Sequence, residues 1–306
     1  MRGAVTLFIY REIPVRVHWS FLMVFVVLAV EISQRQLSLT AAWWLIFFFL
    51  WVFVFVILHE FGHALVARKY GIQTHDIVLL PIGGVARLVR SPVRPVEELV
   101  IAFAGPAVNL IIAIILGLIL LVTKYSWPGI DPTHYYLQGR MFLPALVLLN
   151  LSLFLFNLIP ALPMDGGRVL RSALSFFMSR LQATFWSMWL GKLIGLGLAG
   201  FGMYFQEWLV MLIGLFVFYH SGKEYRQVKR ETLWMQTPLS AMINNTDTGQ
   251  FTQDKLQEGE WLSLDASASA FQAWELLLDH PDAQILVVHQ QTPLGVLTKE
   301  QFSAKF

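Results

Sequence analysis

The 306-residue chain has no cysteine, which excludes disulfides and thiolate zinc sites and leaves its redox compartment unreadable. It is also poor in charge: 14% of its residues are Asp, Glu, Lys or Arg, against about 25% in ordinary soluble domains. What fills the chain instead is apolar, at 56%, gathered into runs long enough to cross a hydrocarbon core of about 30 Å. The pattern predicts a polytopic membrane protein with six spans, at 18–33, 42–67, 98–123, 141–160, 187–205 and 207–221. The net charge of +2 carries little information, because where basic residues sit matters more than their sum. No nucleic-acid partner is expected.

Positive charge sets the expected topology. With a cytoplasmic N-terminus, the inner segments hold Arg2, Arg11, Arg16, Arg68, Lys69, Arg87, Arg90, Arg94 and the basic residues near 168–180 and 223–230. The outer segments hold only Arg35, Lys124 and Arg140. This imbalance follows the positive-inside rule and places both termini in the cytoplasm. Residues 1–17 have the basic character of a leader, but no small-residue cleavage signal follows the first apolar run. That run is expected to be a retained span.

Inside the second run lies His59-Glu60-Phe61-Gly62-His63. Histidines at i and i+4 project from one helix face, and titratable groups at membrane depth are a functional-site signal. In such a motif the histidines bind a metal and the glutamate reaches its water as general base. The plainer alternative is a hydrogen-bonded histidine pair. A catalytic zinc needs a third protein ligand. The segment 157–168, with Pro160, Pro163, Gly166 and Gly167, breaks regular helix, and broken backbone at membrane depth lines protein or a watery cavity. Asp165 falls there at the depth the topology requires; it is also placed to be the N-cap of an interfacial helix running to about residue 181. His18 reads as an interfacial anchor and His75 as a solvated loop residue, while His134, His220, His280 and His289 show no ligand spacing.

Residues 77–88 are apolar but interrupted by Pro81 and Gly83-Gly84, and their β-branched content favours a strand or re-entrant hairpin over a helix. They are expected either to turn the chain or to contact substrate. Beyond 222 the composition becomes polar, with a soluble β-α-β-β pattern from Trp261: a strand at 261–265, a helix facing inward through Ala270, Phe271, Trp274, Leu277 and Leu278, and strands at 285–289 and 294–298. The expected divisions are 1–222, a linker at 223–259 and a small module at 260–306.

His59-Glu60-x-x-His63, taken with Asn157-x-x-Pro160 and Met164-Asp165-Gly166, resembles the site-2 protease family of intramembrane zinc metalloproteases. The subgroup most similar lacks a PDZ insert and carries C-terminal CBS domains. The resemblance implies an all-α polytopic membrane fold with a short membrane-associated β hairpin, plus an α+β CBS-like cytoplasmic domain. It also implies one zinc ion per chain on His59, His63 and Asp165, with Glu60 as general base and Asn157 near the scissile region or oxyanion. Gly105-Pro106-x-x-Asn109 also matches a family feature and reads as close helix packing. The implied reaction is peptide-bond hydrolysis in a membrane-spanning or membrane-tethered protein, releasing a signalling or transcription regulator, in a bacterial or archaeal plasma membrane. The β-α-β-β pattern from Trp261 to Phe302 resembles one CBS module, most clearly at 293–302. Such modules work in pairs, which implies a homodimer, and often bind adenine nucleotides. Thr298 is retained for that role, whereas Gln301 replaces the usual ribose-contacting Asp. A different class of reading is an ion or solute transporter gated by this tail.

Overall fold

The computed structural model describes residues 3–81, 83–92, 94–124, 141–243, 261–280, 283–290, 292–297 and 302. Arg140, His134, the 244–260 stretch, Thr298 and Gln301 lie outside them. The chain divides into two compact units, Met1–Ser221 and Gly222–Phe306.

The first unit is mostly helical, and helices occupy all six expected positions. These are α1 (Leu22–Gln34), α2 (Leu39–Lys69), α3 (Pro95–Val122), α4 (Phe142–Asn157), α6 (Arg180–Tyr204) and α7 (Trp208–Gln236), with the shorter α5 (Asp165–Leu174) between α4 and α6. Their ends follow local chemistry. Ser38 caps α2 by accepting the Ala41 N–H at 3.3 Å, Pro95 opens α3 where a missing N–H costs nothing, and Ser179 with Gln182 forms a capping box on α6. Two helices, α2 and α3, are long and apolar enough by length and composition to cross a membrane, while α1 and α4 are shorter apolar helices. Large apolar side chains such as Leu118, Leu121, Val122, Trp186 and Leu193 lie on the outer surface, a covering that suits lipid rather than water.

An all-helical unit with one hairpin underestimates the sheet. Strands β1 (Ala4–Tyr10), β2 (Ile13–His18), β3 (Thr74–Leu80) and β4 (Gly83–Leu88) form a four-stranded sheet in the order β1-β2-β3-β4. The β3–β4 hairpin is the expected one. The β1–β2 hairpin replaces the leader-like flank, and β2 pairs parallel with β3 through Val15–Ile77 and Val17–Leu79. Val15 and Ile77, with Ile13 of β2, pack against Phe61 and Ala64 of α2, so the sheet lies against the helix that carries the histidines. His18 caps the turn into α1, its Nδ1 2.7 Å from the Ser20 hydroxyl.

A buried ion network braces the sheet. Arg87 donates from Nε to Asp76 Oδ1 at 2.5 Å and from its second nitrogen to Oδ2, and Arg16 reaches Oδ2 at 3.2 Å. Burial of Asp76 alone would raise its pKa. The Arg87 hydrogen bonds and the surrounding positive charge outweigh this and hold the carboxyl below its ordinary range.

In the second unit β5 (Trp261–Asp265), α8 (Ala270–Asp279), β6 (Gln284–His289) and β7 (Thr292–Leu297) follow in the expected β-α-β-β order. β5 and β6 are parallel, and β6 and β7 antiparallel. Ala270, Leu277, Ile285, Val287 and Phe302 are fully buried in its core. Within the expected linker, residues up to Gln236 continue α7, and Leu239 and Met242 enter this same core.

Candidate metal centre

His59 and His63 stand one turn apart on α2, with ring centroids 4.8 Å apart. The approach of α3 explains why a glycine sits opposite them: a Cβ at Gly105 would lie 2.7 Å from His59 Nε2 and still nearer His63 Nε2. Asp165 is the first residue of α5, after the irregular segment that follows α4. Gly166 lets that segment fold back tightly, because a Cβ there would collide with the Leu158 and Ile159 carbonyls. Asp165 is the first residue of α5 rather than its N-cap, a position Met164 holds, and the helix ends at Leu174 rather than near 181; its carboxylate turns to the histidines.

The three candidate ligand atoms form a nearly equilateral triangle. His59 Nε2 and His63 Nε2 are 3.1 Å apart, and each is 3.1 Å from Asp165 Oδ2. All three residues are buried. The opposite ring nitrogens are occupied: His59 Nδ1 lies 2.5 Å from Asn109 Oδ1, and His63 Nδ1 lies 2.7 Å from the Ile101 carbonyl. Both partners are acceptors, so each Nδ1 donates, and a ring that is neutral then turns a bare Nε2 lone pair into the triangle. Three acceptors converging on one buried point repel one another unless a cation joins them. An edge of 3.1 Å is also close to the about 3.3 Å edge of a tetrahedron with zinc bonds of about 2.0–2.1 Å. The residues fit a zinc ion with one open position. Zinc, when bound, supplies a Lewis acid that activates water and polarises a carbonyl.

Glu60 follows His59 on the helix, and its Oε2 accepts the Ala86 N–H of edge strand β4 at 2.8 Å. A cavity of about 190 Å3 is lined by Val56, His59, Glu60, Gly83, Gly84, Asn109, Leu153, Phe156 and Asn157. The Gly83-Gly84 segment therefore belongs to the site. Asn157, the last residue of α4, donates from Nδ2 to the Leu153 carbonyl at 2.9 Å, which leaves its second N–H and its oxygen for other partners. His75 is exposed on β3.

Two asparagines were underestimated from sequence. Asn109, expected only to aid packing, bonds directly to His59 and donates from Nδ2 to Asn150 Oδ1 at 3.0 Å. Asn150 sits midway along the apolar α4, and a buried polar residue in such a run is the signal that identifies it.

Comparison with known proteins agrees with this geometry. The model of peptidase family M50 matches residues 47–128 and 134–199, which contain all three candidate ligands. A zinc metalloprotease of Methanocaldococcus jannaschii is 39% identical over 234 residues, 76% of this chain and 64% of the relative. A Synechocystis sp. relative is 34% identical over 207 residues, 64% of this chain and 51% of its own length. The chain thus spans between about half and two thirds of these curated relatives. The solved structure of the site-2 protease from Methanocaldococcus jannaschii superposes with a TM-score of 0.54 at 37% identity, covering 72% of this chain and 95% of that one. The matched family segments hold all three residues of the triangle, and the chain belongs to peptidase family M50.

Proposed function

We propose that this chain is an intramembrane zinc metalloendopeptidase of the site-2 type. It would cut a membrane-spanning or membrane-tethered protein within or near its transmembrane segment and so release a signalling or transcription regulator. The observation that carries this reading is the meeting of three buried ligand atoms in one triangle, with the Glu60 carboxylate lining the same cavity as His59.

Each step falls to a group in the cavity. A transmembrane helix hides its carbonyls in internal hydrogen bonds, so the substrate must unwind before attack. The outer edge of β4 at Gly83–Val85, beside the Ala86 N–H that Glu60 holds, can take the released segment as an added strand. Glu60 takes the proton from the attacking water and delivers it to the leaving amine, a role worth about 10²–10⁴ in rate. The second amide N–H of Asn157 is the side-chain donor offered to the developing oxyanion. His59, His63 and Asp165 hold the metal.

The reading includes six membrane crossings with both termini cytoplasmic, supported by the helix positions and the distribution of arginine and lysine. It also takes the C-terminal module as a CBS-like half that pairs in a homodimer. Adenine-nucleotide binding there would fall on residues outside the described set.

Replacement of a ligand tests the proposal. Asp165→Asn in detergent-solubilised, zinc-loaded protein is expected to lose zinc and cleavage of single-span test proteins together. Retention of both by the variant would count against the site.

A further inference from the structure

We infer that Asn150 is a positioning residue that fixes which way the amide of Asn109 faces and thereby which nitrogen of His59 is free to bind metal. This rests on the reading of the triangle as a metal site.

The argument follows donors and acceptors. An asparagine amide has an acceptor end and a donor end of almost equal shape, so its orientation is decided by its neighbours. The chain of bonds begins at the Leu146 carbonyl, which can only accept. Asn150 donates to it from Nδ2 at 2.9 Å, so Asn150 must turn Oδ1 the other way. That oxygen accepts from Asn109 Nδ2 at 3.0 Å. Asn109 is thereby forced to turn Oδ1 towards His59 Nδ1, 2.5 Å away. An acceptor at Nδ1 requires the ring proton there, which leaves the Nε2 lone pair pointing into the triangle.

Asn109 and Asn150 are both fully buried, and Asn109 also borders the cavity. The two histidines are set by different means. His63 Nδ1 meets the Ile101 carbonyl directly, a backbone acceptor that cannot be reversed. The His59 partner is a reversible amide, which is why a second amide and a backbone carbonyl stand behind it. Without Asn150, the Asn109 amide can turn and present N–H to His59 Nδ1. The ring then carries its proton on Nε2, in the position the metal requires.

Zinc affinity, measured by chelator competition on the full-length protein in detergent, separates this role from simple packing. Loss of a group that orients a metal-bound histidine costs about 10–100-fold in affinity, and Asn150→Leu is expected to fall in that range. Adding Asn109→Asp to it should restore most of the affinity, because a carboxylate offers His59 only acceptors whichever way it turns. That rescue would occur although the double variant packs no better than the single one. Wild-type affinity in Asn150→Leu, or equal weakness in the single and double variants, would overturn the relay. If Asn150→Leu does not fold, Asn109→Asp and Asn109→Leu carry the same test: the first should hold zinc at least 10-fold more tightly, and equal affinities would refute the inference. Failure of the wild type to bind zinc would instead overturn the metal site, and the relay with it.

Discussion

Gly105→Ala should abolish tight metal binding through a single methyl group. The added Cβ would lie 2.7 Å from His59 Nε2 and closer to His63 Nε2, where ordinary contact needs about 3.5 Å. One of the two helices, or the rings, must therefore retreat by about 0.8 Å or more at this contact. Metal sites tolerate deviations of about 0.2 Å in ligand distance, so the displacement is several times what the triangle can absorb. The expected fall in zinc affinity is at least about 100-fold, beyond the range for losing one outer partner of a ligand. Overpacking of this kind costs about 1–3 kcal/mol in stability, which the fold should survive. Gly117→Ala on the same helix is the control, since no described residue lies within 4 Å of a Cβ there. The assay is zinc competition on both variants in detergent, with thermal unfolding alongside. Gly105→Ala binding zinc as tightly as Gly117→Ala would refute the geometry of the site.

Three other outcomes follow from the same structure. Arg171 donates from Nε to Glu98 at 2.8 Å, joining α5 to α3 with both residues buried; Arg171→Met alone should cost about 3–5 kcal/mol in unfolding experiments, and Glu98→Leu added to it should recover much of the loss. Because Asp76 has its pKa lowered by folding, its contribution is full above the unfolded value of about 3.9 and is lost as pH falls through the folded one; the stability gap between wild type and Asp76→Asn should persist at neutral pH and close in acid below pH of about 4, and a gap that widens in acid would contradict the ion network. Removal of residues 260–306 should convert a homodimer in detergent to a monomer, and a chain that sediments as a monomer both with and without the module would rule out dimerisation through it.

The His59–His63 pair could be read from sequence because its chemistry is encoded in local spacing, and the helix periodicity alone brings the two rings together. Asp165 could be read because prolines and glycines announce a break in an apolar run. The second unit was legible for a similar reason: β5, α8, β6 and β7 each show their own periodicity. The N-terminal hairpin was harder. Val15-Arg16-Val17 alternates as a strand does, but its pairing partner Ile77–Leu79 lies two helices away, and arginines beside an apolar run suggest a leader equally well. The bond from Ala86 to Glu60 and the path from Asn150 to His59 depend on contacts between residues 26 and 41 positions or more apart. No local pattern encodes them, so they appear only when the helices and the sheet edge are brought together.

The most direct test of the central claim is the Glu60→Gln substitution in zinc-loaded full-length protein, with zinc content and cleavage of single-span test proteins measured on the same sample. The account predicts one zinc per chain in both proteins, since Glu60 is not among the ligands, and a loss of about 10²–10⁴ in cleavage rate in the variant. A Glu60→Gln protein that retains its zinc and cleaves at the wild-type rate would contradict it.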